Sequence, residues 1–427
     1  MRKKQRSSTD VMHTSNTPPK KILIFSLAYF PFVGGAEVSI DEITKRVSSE
    51  HVSFSLICAQ YNGALPRYER IGAVEVYRVG WGKKNPTPKD LIRFPWYFLS
   101  KVLYPLLSIL KAIQLSRREK FDLWWVVLSY AGFGVALYRL LGLGKPYILT
   151  LQEGDTMEVM MGRARIRPFV WLLKQVFVQA TLIHSISRYL GDWAKRMGYE
   201  GEVVYIPNGI SVSRFVTSSS KEKLERVYTH IMGNKIDKKD AKIFLITTSR
   251  LVEKNGIDTV IRALPLLASH IHFIILGEGP EEDALKALAK ELEVEHRAHF
   301  LGNISQEELP AYYQLADIFV RPSRSEGQGI SFIEAFGAGL PVIATQVGGI
   351  ADFLFDRKRN PDTLPTGFAV SPNSPEEIKE QVEYILSHPE EVREVVVRAK
   401  ELAHTRYNWD TIAKEMEKEV FCKVLEK

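Results

Sequence analysis

Short, densely apolar runs alternate along this chain with longer segments in which apolar residues recur every three or four positions. The short runs have the length of fully buried strands and the longer segments carry the periodicity of helices, so the pattern predicts parallel α/β architecture. Lys21–Ala28 (KILIFSLA) reads as the first strand. It leads through Pro31-Phe-Val-Gly34-Gly35 into a helix with Ala36, Ile40, Ile43 and Val47 on one face. His51–Ala59, Gly72–Val79, Asp122–Leu128, Pro146–Leu151 and Thr181–Ser185 continue the set, and Val203–Ile206 closes it at Pro207-Asn208-Gly209, a turn signal.

A polar, charge-dense stretch from Ser211 to Lys242 marks a boundary, after which the alternation restarts. Strands are predicted at Lys242–Thr247, His272–Leu276, His299–Leu301 and Ile318–Val320, with helices over Ile257–Leu267, after Pro280 and after a Ser305…Glu308 capping box. The pattern therefore predicts a tail over 1–20, a Rossmann-like domain over 21–210, a second over 211–400, and a closing segment over 401–427. Ligands of such sheets lie beyond the carboxyl ends of the strands.

Composition narrows this little. The 427 residues are 45% hydrophobic and 25% charged, which suits a folded globular chain. The first twenty residues are basic and polar without an apolar core, so they read as a disordered tail and not as a secretory signal. No apolar run is long and uncharged enough to cross a membrane. Cys58 and Cys422 are too few for a disulfide framework or a four-cysteine zinc site, and they read as free thiols in a reducing cytoplasm.

The candidate chemistry is concentrated in Arg321–Asp352. Glu326 and Glu334, seven residues apart, flank Gly327-Gln328-Gly329 and the start of a helix at Ile330. Glycines let backbone amides approach a ligand, and a helix N-terminus favours an anion, so a diphosphate fits. Two carboxylates would repel it unless they face hydroxyls, which assigns both to sugars. Arg250 and Lys254 follow the first strand of the second half and supply a donor fork and a point charge for phosphate oxygens. Gly277-Glu278-Gly279 lacks the third glycine of a dinucleotide fingerprint. There is no GxxxxGK loop, which removes P-loop NTPases, and no Asp-x-Asp pair to hold a metal on a nucleotide sugar.

These features together resemble the large retaining GT-B glycosyltransferase family often called family 4. The likeness rests on Arg250…Lys254, Leu276-Gly-Glu-Gly-Pro280, Phe300-Leu-Gly-Asn303, Ala316–Ser323, and Glu326-x7-Glu334 through Gly339-Leu-Pro341. In the first half it rests on Gly34-Gly35-Ala36-Glu37 and Ile206–Ile210, and at the end on Tyr407-Asn-Trp-Asp410. The resemblance implies two Rossmann-like domains facing a cleft, with a C-terminal helix crossing back to the first. It makes Arg250 and Lys254 diphosphate ligands, turns Glu326 toward donor-sugar hydroxyls and Glu334 toward the ribose, and brings Gly34 and Gly35 to the donor. Gly277, Gly279, Gln328, Gly329 and Ile330 join the donor-binding set. The implied reaction is retaining, metal-independent transfer of a hexose from a UDP- or GDP-sugar to a glycan or lipid-linked acceptor. No cofactor beyond that donor is expected.

One departure stands out. Family members often carry a histidine beyond the strand Pro146–Leu151, where this chain reads Gln152-Glu153-Gly154-Asp155. Gln152 cannot act as a base, so Glu153 or Asp155 either orients the acceptor or caps the next helix. His184 lies in an apolar strand and reads as a core or rim residue. The departure keeps open a nucleotide-sugar-binding protein without transfer, and the fold also admits an epimerase or phosphorylase.

The net charge of +7 is unevenly placed. Leu91–Arg118 and Val159–Gly191 each hold five Lys or Arg residues and no acid, and both are rich in aromatics. Both lie in the acceptor half, so they suit an anionic membrane surface on the cytoplasmic face, or two ordinary domain helices with basic rims. No nucleic-acid module accompanies the charge.

Overall fold

A computed structural model describes residues 18–47, 50–86, 96–162, 166–216, 218–233 and 242–426. Most of the predicted tail, and Leu91–Pro95 and Arg163–Arg165 of the basic stretches, lie outside the described residues. Two sheets carry the fold. The first comprises β1 (Lys20–Phe25), β2 (Val52–Ala59), β3 (Tyr68–Ile71), β4 (Val74–Val79), β5 (Leu123–Val127), β6 (Tyr147–Leu151), β7 (Leu182–Ser185) and β8 (Val203–Tyr205). Their order is β3-β4-β2-β1-β5-β6-β7-β8, parallel throughout except for the antiparallel β3–β4 edge. The second comprises β9 (Ile243–Thr248), β10 (Ile271–Leu276), β11 (Ala298–Phe300), β12 (Ile318–Arg321), β13 (Val342–Ala344) and β14 (Phe368–Ala369). Its order is β11-β10-β9-β12-β13-β14, all parallel.

The strands are continuously apolar because both faces of each sheet are covered. In β1, Leu23 and Phe25 enter the core on one face, while Ile22 and Ile24 enter the core on the other. Each sheet reverses its strand order at its centre, between β1 and β5 and between β9 and β12. That reversal opens a crevice at the carboxyl ends of the strands.

Two local features explain themselves chemically. Pro105 sits inside the helix Trp96–Ser116 and cannot donate to the carbonyl of Lys101. The Tyr130 hydroxyl donates to that carbonyl at 3.0 Å, so the helix continues through the proline. His184 is buried in β7; its Nδ1 meets Thr150 Oγ1 at 3.1 Å and its Nε2 meets the carbonyl of Ile206 at 2.8 Å. Burial pushes it down to about 4, so it is a neutral core histidine.

The helix Pro389–Arg406 runs past the predicted break at 400, and the chain crosses back only at Tyr407. There the Ile210 amide donates to the Tyr407 carbonyl at 2.7 Å. The helix Trp409–Glu415 and a π-helical turn, Met416–Cys422, follow. Trp409, Ile412, Met416, Val420 and Phe421 pack into the first domain's core beside Ile22, Ile24 and Trp125. The chain thus has the two-domain GT-B architecture with its C-terminal helix on the first domain.

Candidate active site

The loops after β9 and β12 meet at the centre of the second sheet, and glycines let them pack. A Cβ on Gly256 would lie 2.3 Å from the Pro322 carbonyl, so the Lys254 loop and the loop after β12 touch through backbone. Arg324, which the sequence reading passed over, fastens them: its amide donates to the Lys254 carbonyl at 2.6 Å and its guanidinium to Asp258 at 2.7 Å. Arg250 is exposed at the mouth, immediately past β9.

Glu326 follows β12, and its carboxylate is oriented from both sides. Arg321 Nη2 donates to one oxygen at 2.8 Å, and the Gly327 amide donates to the other at 3.0 Å. Arg321 is itself buried and holds Ser331 Oγ at 2.8 Å and the Thr248 carbonyl at 3.1 Å. Its guanidinium stacks over Phe332 at 4.1 Å. Burial lowers the Arg321 pKa, and Glu326, Tyr313 and Glu334 counter it. Arg321 thereby fixes β9, β12 and the helix Ile330–Ala338 around Glu326. Gly329 precedes that helix at φ +89°, a conformation that favours glycine. Glu334 lies one turn in, 3.5 Å from the Tyr313 hydroxyl. Burial pushes its carboxyl up to about 7, opposed by Arg214, Tyr313 and Arg321.

The first domain closes over this loop. Lys254 Nζ donates to the Gly154 carbonyl at 2.5 Å and lies 3.6 Å from Asp155 Oδ1. Ser325 Oγ donates to the same carbonyl at 3.4 Å, and a Cβ on Gly327 would lie 2.3 Å from the Glu153 carbonyl. Asp155 and Lys254 therefore face each other across one cleft. Gln152 Nε2 donates to Ser39 Oγ at 3.0 Å, which puts the loop after β6 beside the helix Gly35–Thr44. A Cβ at Gly35 would meet nothing within 4 Å, whereas Gly34 donates its amide to Glu37 at 2.7 Å. Among the described residues no three His, Cys, Asp or Glu side chains cluster to hold a metal ion.

Four expected site residues are engaged elsewhere. The Glu153 carboxylate accepts from the amides of Ser129 at 2.7 Å and Gln152 at 3.0 Å, so it orders two backbone segments. The Gln328 side chain is buried and exchanges two hydrogen bonds with the backbone of Asn208. It is turned toward the interdomain crossing. Gly277 and Gly279 are required by internal packing, since Cβ atoms there would lie 2.0 Å from the Ser249 carbonyl and 2.1 Å from that of Leu251.

The family described as Glycosyl transferase 4-like domain matches residues 34–209, and Glycosyl transferases group 1 matches residues 231–402. The chain belongs to the GT-B glycosyltransferase family. Among this family's characterised members, a GDP-mannose-dependent alpha-(1-6)-phosphatidylinositol monomannoside mannosyltransferase of Mycobacterium tuberculosis is 29% identical over 244 residues. That match covers 55% of this chain and 59% of the relative, so the chain spans well under two thirds of that relative's length. An alpha-monoglucosyldiacylglycerol synthase of Streptococcus pneumoniae is 22% identical over 76% of this chain and 70% of its own. Sucrose-phosphate synthase from Thermosynechococcus elongatus superposes with a TM-score of 0.77, at 17% identity, over 95% of this chain and 99% of that one. Anabaena HepE, solved with UDP and glucose, gives 0.70 at 18% identity over 94% and 99%. These structural likenesses show the family's fold.

Proposed function

We propose that this glycosyltransferase-family chain transfers a hexosyl group from a UDP- or GDP-sugar, with retention and without a metal, to a glycan or lipid-linked acceptor. The product would serve cell-surface polysaccharide or glycolipid synthesis. The observation that carries this reading is the meeting of Arg250, Lys254 and the oriented Glu326 loop at the strand-order reversal, under the first domain's Gln152–Asp155 loop. The phosphatidylinositol monomannoside and monoglucosyldiacylglycerol in the relatives' names favour a lipid-linked acceptor here.

In this reading Arg250, Lys254 and the amides at Gly329 and Ile330 take the developing charge of the leaving diphosphate. The bond from the sugar C1 to the diphosphate oxygen breaks as the acceptor oxygen bonds to C1 on the same face. The acceptor proton passes to the departing phosphate oxygen. Glu326 holds donor-sugar hydroxyls, Glu334 the ribose, and Gly35 leaves open space for the donor from the opposite domain. Asp155, paired with Lys254 in the structure, turns to the acceptor once the diphosphate occupies Lys254.

The test is calorimetry with UDP and GDP, followed by transfer and hydrolysis assays with the sugars of the base that binds. Wild type should turn over, while Glu326→Ala should lose about 100-fold or more in turnover while binding the nucleotide within about threefold. Asp155→Asn should likewise lower turnover more than affinity. Nucleotide binding with no turnover on any donor would favour the non-transferring alternative.

The acceptor domain also supports membrane contact, peripheral on the cytoplasmic face. Val102, Leu106 and Leu110 are exposed at one-turn intervals on the helix Trp96–Ser116, and Leu137, Leu140 and Trp171 are exposed on its neighbours. Exposed Arg117, Arg118, Arg167 and Lys174 accompany them. No helix among the described residues is long and apolar enough to span a bilayer. Flotation with phosphatidylglycerol vesicles at low salt should carry the protein up, and Leu106→Glu/Leu110→Glu should prevent it.

A further inference from the structure

Four residues from four separate parts of the sequence form one hydrogen-bonded line, the last link of which runs from the Gln328 side chain to the backbone of Asn208. Ser39, in the helix behind the glycine loop, accepts from Gln152 Nε2 at 3.0 Å. Gln152 Oε1 accepts from Asn208 Nδ2 at 3.0 Å. The Asn208 amide donates to Gln328 Oε1 at 2.8 Å, and Gln328 Nε2 donates to the Asn208 carbonyl at 2.9 Å. A backbone amide can only donate and a carbonyl only accept, so the orientation of Gln328 is fixed. Ser39, Asn208 and Gln328 are buried, and Gln152 is half-buried.

The line joins the pieces that must meet for transfer. It starts on the helix that carries Gly34 and Gly35, passes the loop after β6 that faces Lys254, and crosses at the interdomain connection. It ends one residue before Gly329, where the helix Ile330–Ala338 begins. Every member is uncharged, so its geometry does not change with pH. The two Asn208–Gln328 hydrogen bonds cross between the domains, while Ser39–Gln152 and Gln152–Asn208 anchor the crossing to the first domain.

We infer that Gln152 and Asn208 are positioning residues, and that the Ser39–Gln152–Asn208–Gln328 line sets the register of the two closed domains so that the glycine loop faces the diphosphate loop. This inference rests on the transferase reading above. It gives Gln152 a task that needs no ionisation: an amide both donates and accepts at once, which joins two partners that a carboxylate or a hydrocarbon could not join in the same way. The line converts a rigid-body closure of two domains into one fixed relative placement, and a misplacement of about 1 Å is enough to cost 100-fold in rate.

The experiment uses the full chain with Gln152→Leu, Asn208→Ala, their double variant and Gln152→Glu. Turnover is measured with the donor that supports it, UDP and GDP affinity by calorimetry, and closure by small-angle X-ray scattering with and without UDP or GDP. Gln152→Leu and Asn208→Ala should each lower kcat by about 10- to 100-fold with the donor KM within about threefold. The double variant should lose no more than the worse single, because either change already breaks the line. Gln152→Glu keeps an acceptor for Asn208 but loses the donor to Ser39, and should recover only part of what Gln152→Leu loses. Scattering should report a more open particle for Gln152→Leu in the presence of nucleotide. Should Asn208→Ala fail to fold, Ser39→Ala removes the far end of the line and should lower kcat with the same unchanged KM.

Unchanged kcat in Gln152→Leu, losses that multiply in the double variant, or a closed particle indistinguishable from wild type would overturn the inference. A loss of thermal stability with kcat intact would do the same, since the residues would then be glue alone. If wild type turns over no donor, the transferase reading fails, and scattering with UDP and GDP still decides whether the line governs closure.

Discussion

Glu334 shows how a single carboxyl reports on the nucleotide site. Its pKa is pushed up to about 7 by burial, against the pull of Arg214, Tyr313 and Arg321. A raised pKa favours the protonated form in the folded protein, so its stabilising contribution is complete below the ordinary carboxyl range near 4.5 and disappears as pH climbs through 7. Glu334→Gln cannot ionise and escapes that loss. Its melting temperature should therefore gain on wild type between pH 5 and pH 8. Nucleotide binding should run with the opposite slope. If the ionised carboxylate accepts from ribose hydroxyls, wild-type affinity tightens as pH rises toward 7 and levels off above it, while Glu334→Gln shows a flat profile. Calorimetry and thermal melts at five pH values measure both slopes. A wild-type affinity independent of pH would remove the ribose role. The sequence marked Glu326 and Glu334 through their glycine-rich surroundings, yet Arg321, Arg324 and Asn208 escaped it. Arg321 works on Glu326 by reaching out of a buried strand, and Asn208 meets Gln328 across 120 positions, which no local pattern encodes.

At the scale of elements, the apolar strands were legible wherever a run was long enough to need two covered faces. β3, β13 and β14 were not. β14 has two residues, too few to establish a pattern, β13 (Val342–Ala344) is a short run inside the segment read for its chemistry, and β3 (Tyr68–Ile71) is an edge strand with alternate residues exposed. The loop glycines were legible as glycines but not by purpose. Gly349 and Gly327 separate two purposes. A Cβ on Gly349 would lie 2.0 Å from the Gly327 carbonyl within the second domain, so Gly349→Ala strains that domain in every state. A Cβ on Gly327 would lie 2.3 Å from the Glu153 carbonyl of the other domain, so Gly327→Ala strains only the closed state. Gly349→Ala should destabilise the fold by about 1–3 kcal/mol. Gly327→Ala should melt within about 1 kcal/mol of wild type, yet lose turnover by at least about tenfold because closure is obstructed. Denaturant unfolding and steady-state kinetics on the two variants test the distinction. An equal stability loss in both would show that Gly327 serves its own domain.

At the scale of the molecule, the last helix belongs by packing to the first domain. Phe421 meets Trp125 with ring centroids 5.0 Å apart and Phe54 at 5.9 Å, and it is fully buried. Ion pairs flank the contact, Arg46 with Asp410 at 2.6 Å and Lys423 with Glu202 at 2.5 Å, but both include exposed partners and add little beside the aromatic burial. The sequence predicted the crossing by resemblance; the start of the crossing was misplaced because Pro389–Arg406 keeps helical periodicity straight through residue 400. The energetic consequence is that a residue near the chain's end should govern the domain at its beginning. Phe421→Ala removes a fully buried ring and should cost about 3–5 kcal/mol. That loss should fall on the first domain, because the ring's partners are β2 and β5 and none lies in the second sheet. Calorimetric unfolding should then separate into a lowered first-domain transition and a second-domain transition close to wild type. Bound UDP or GDP raises only the state that binds it. In Phe421→Ala, nucleotide should therefore shift the second transition more than the first, and a single transition that moves as one would mean that the two domains unfold together through the cleft contacts and not through the crossing helix.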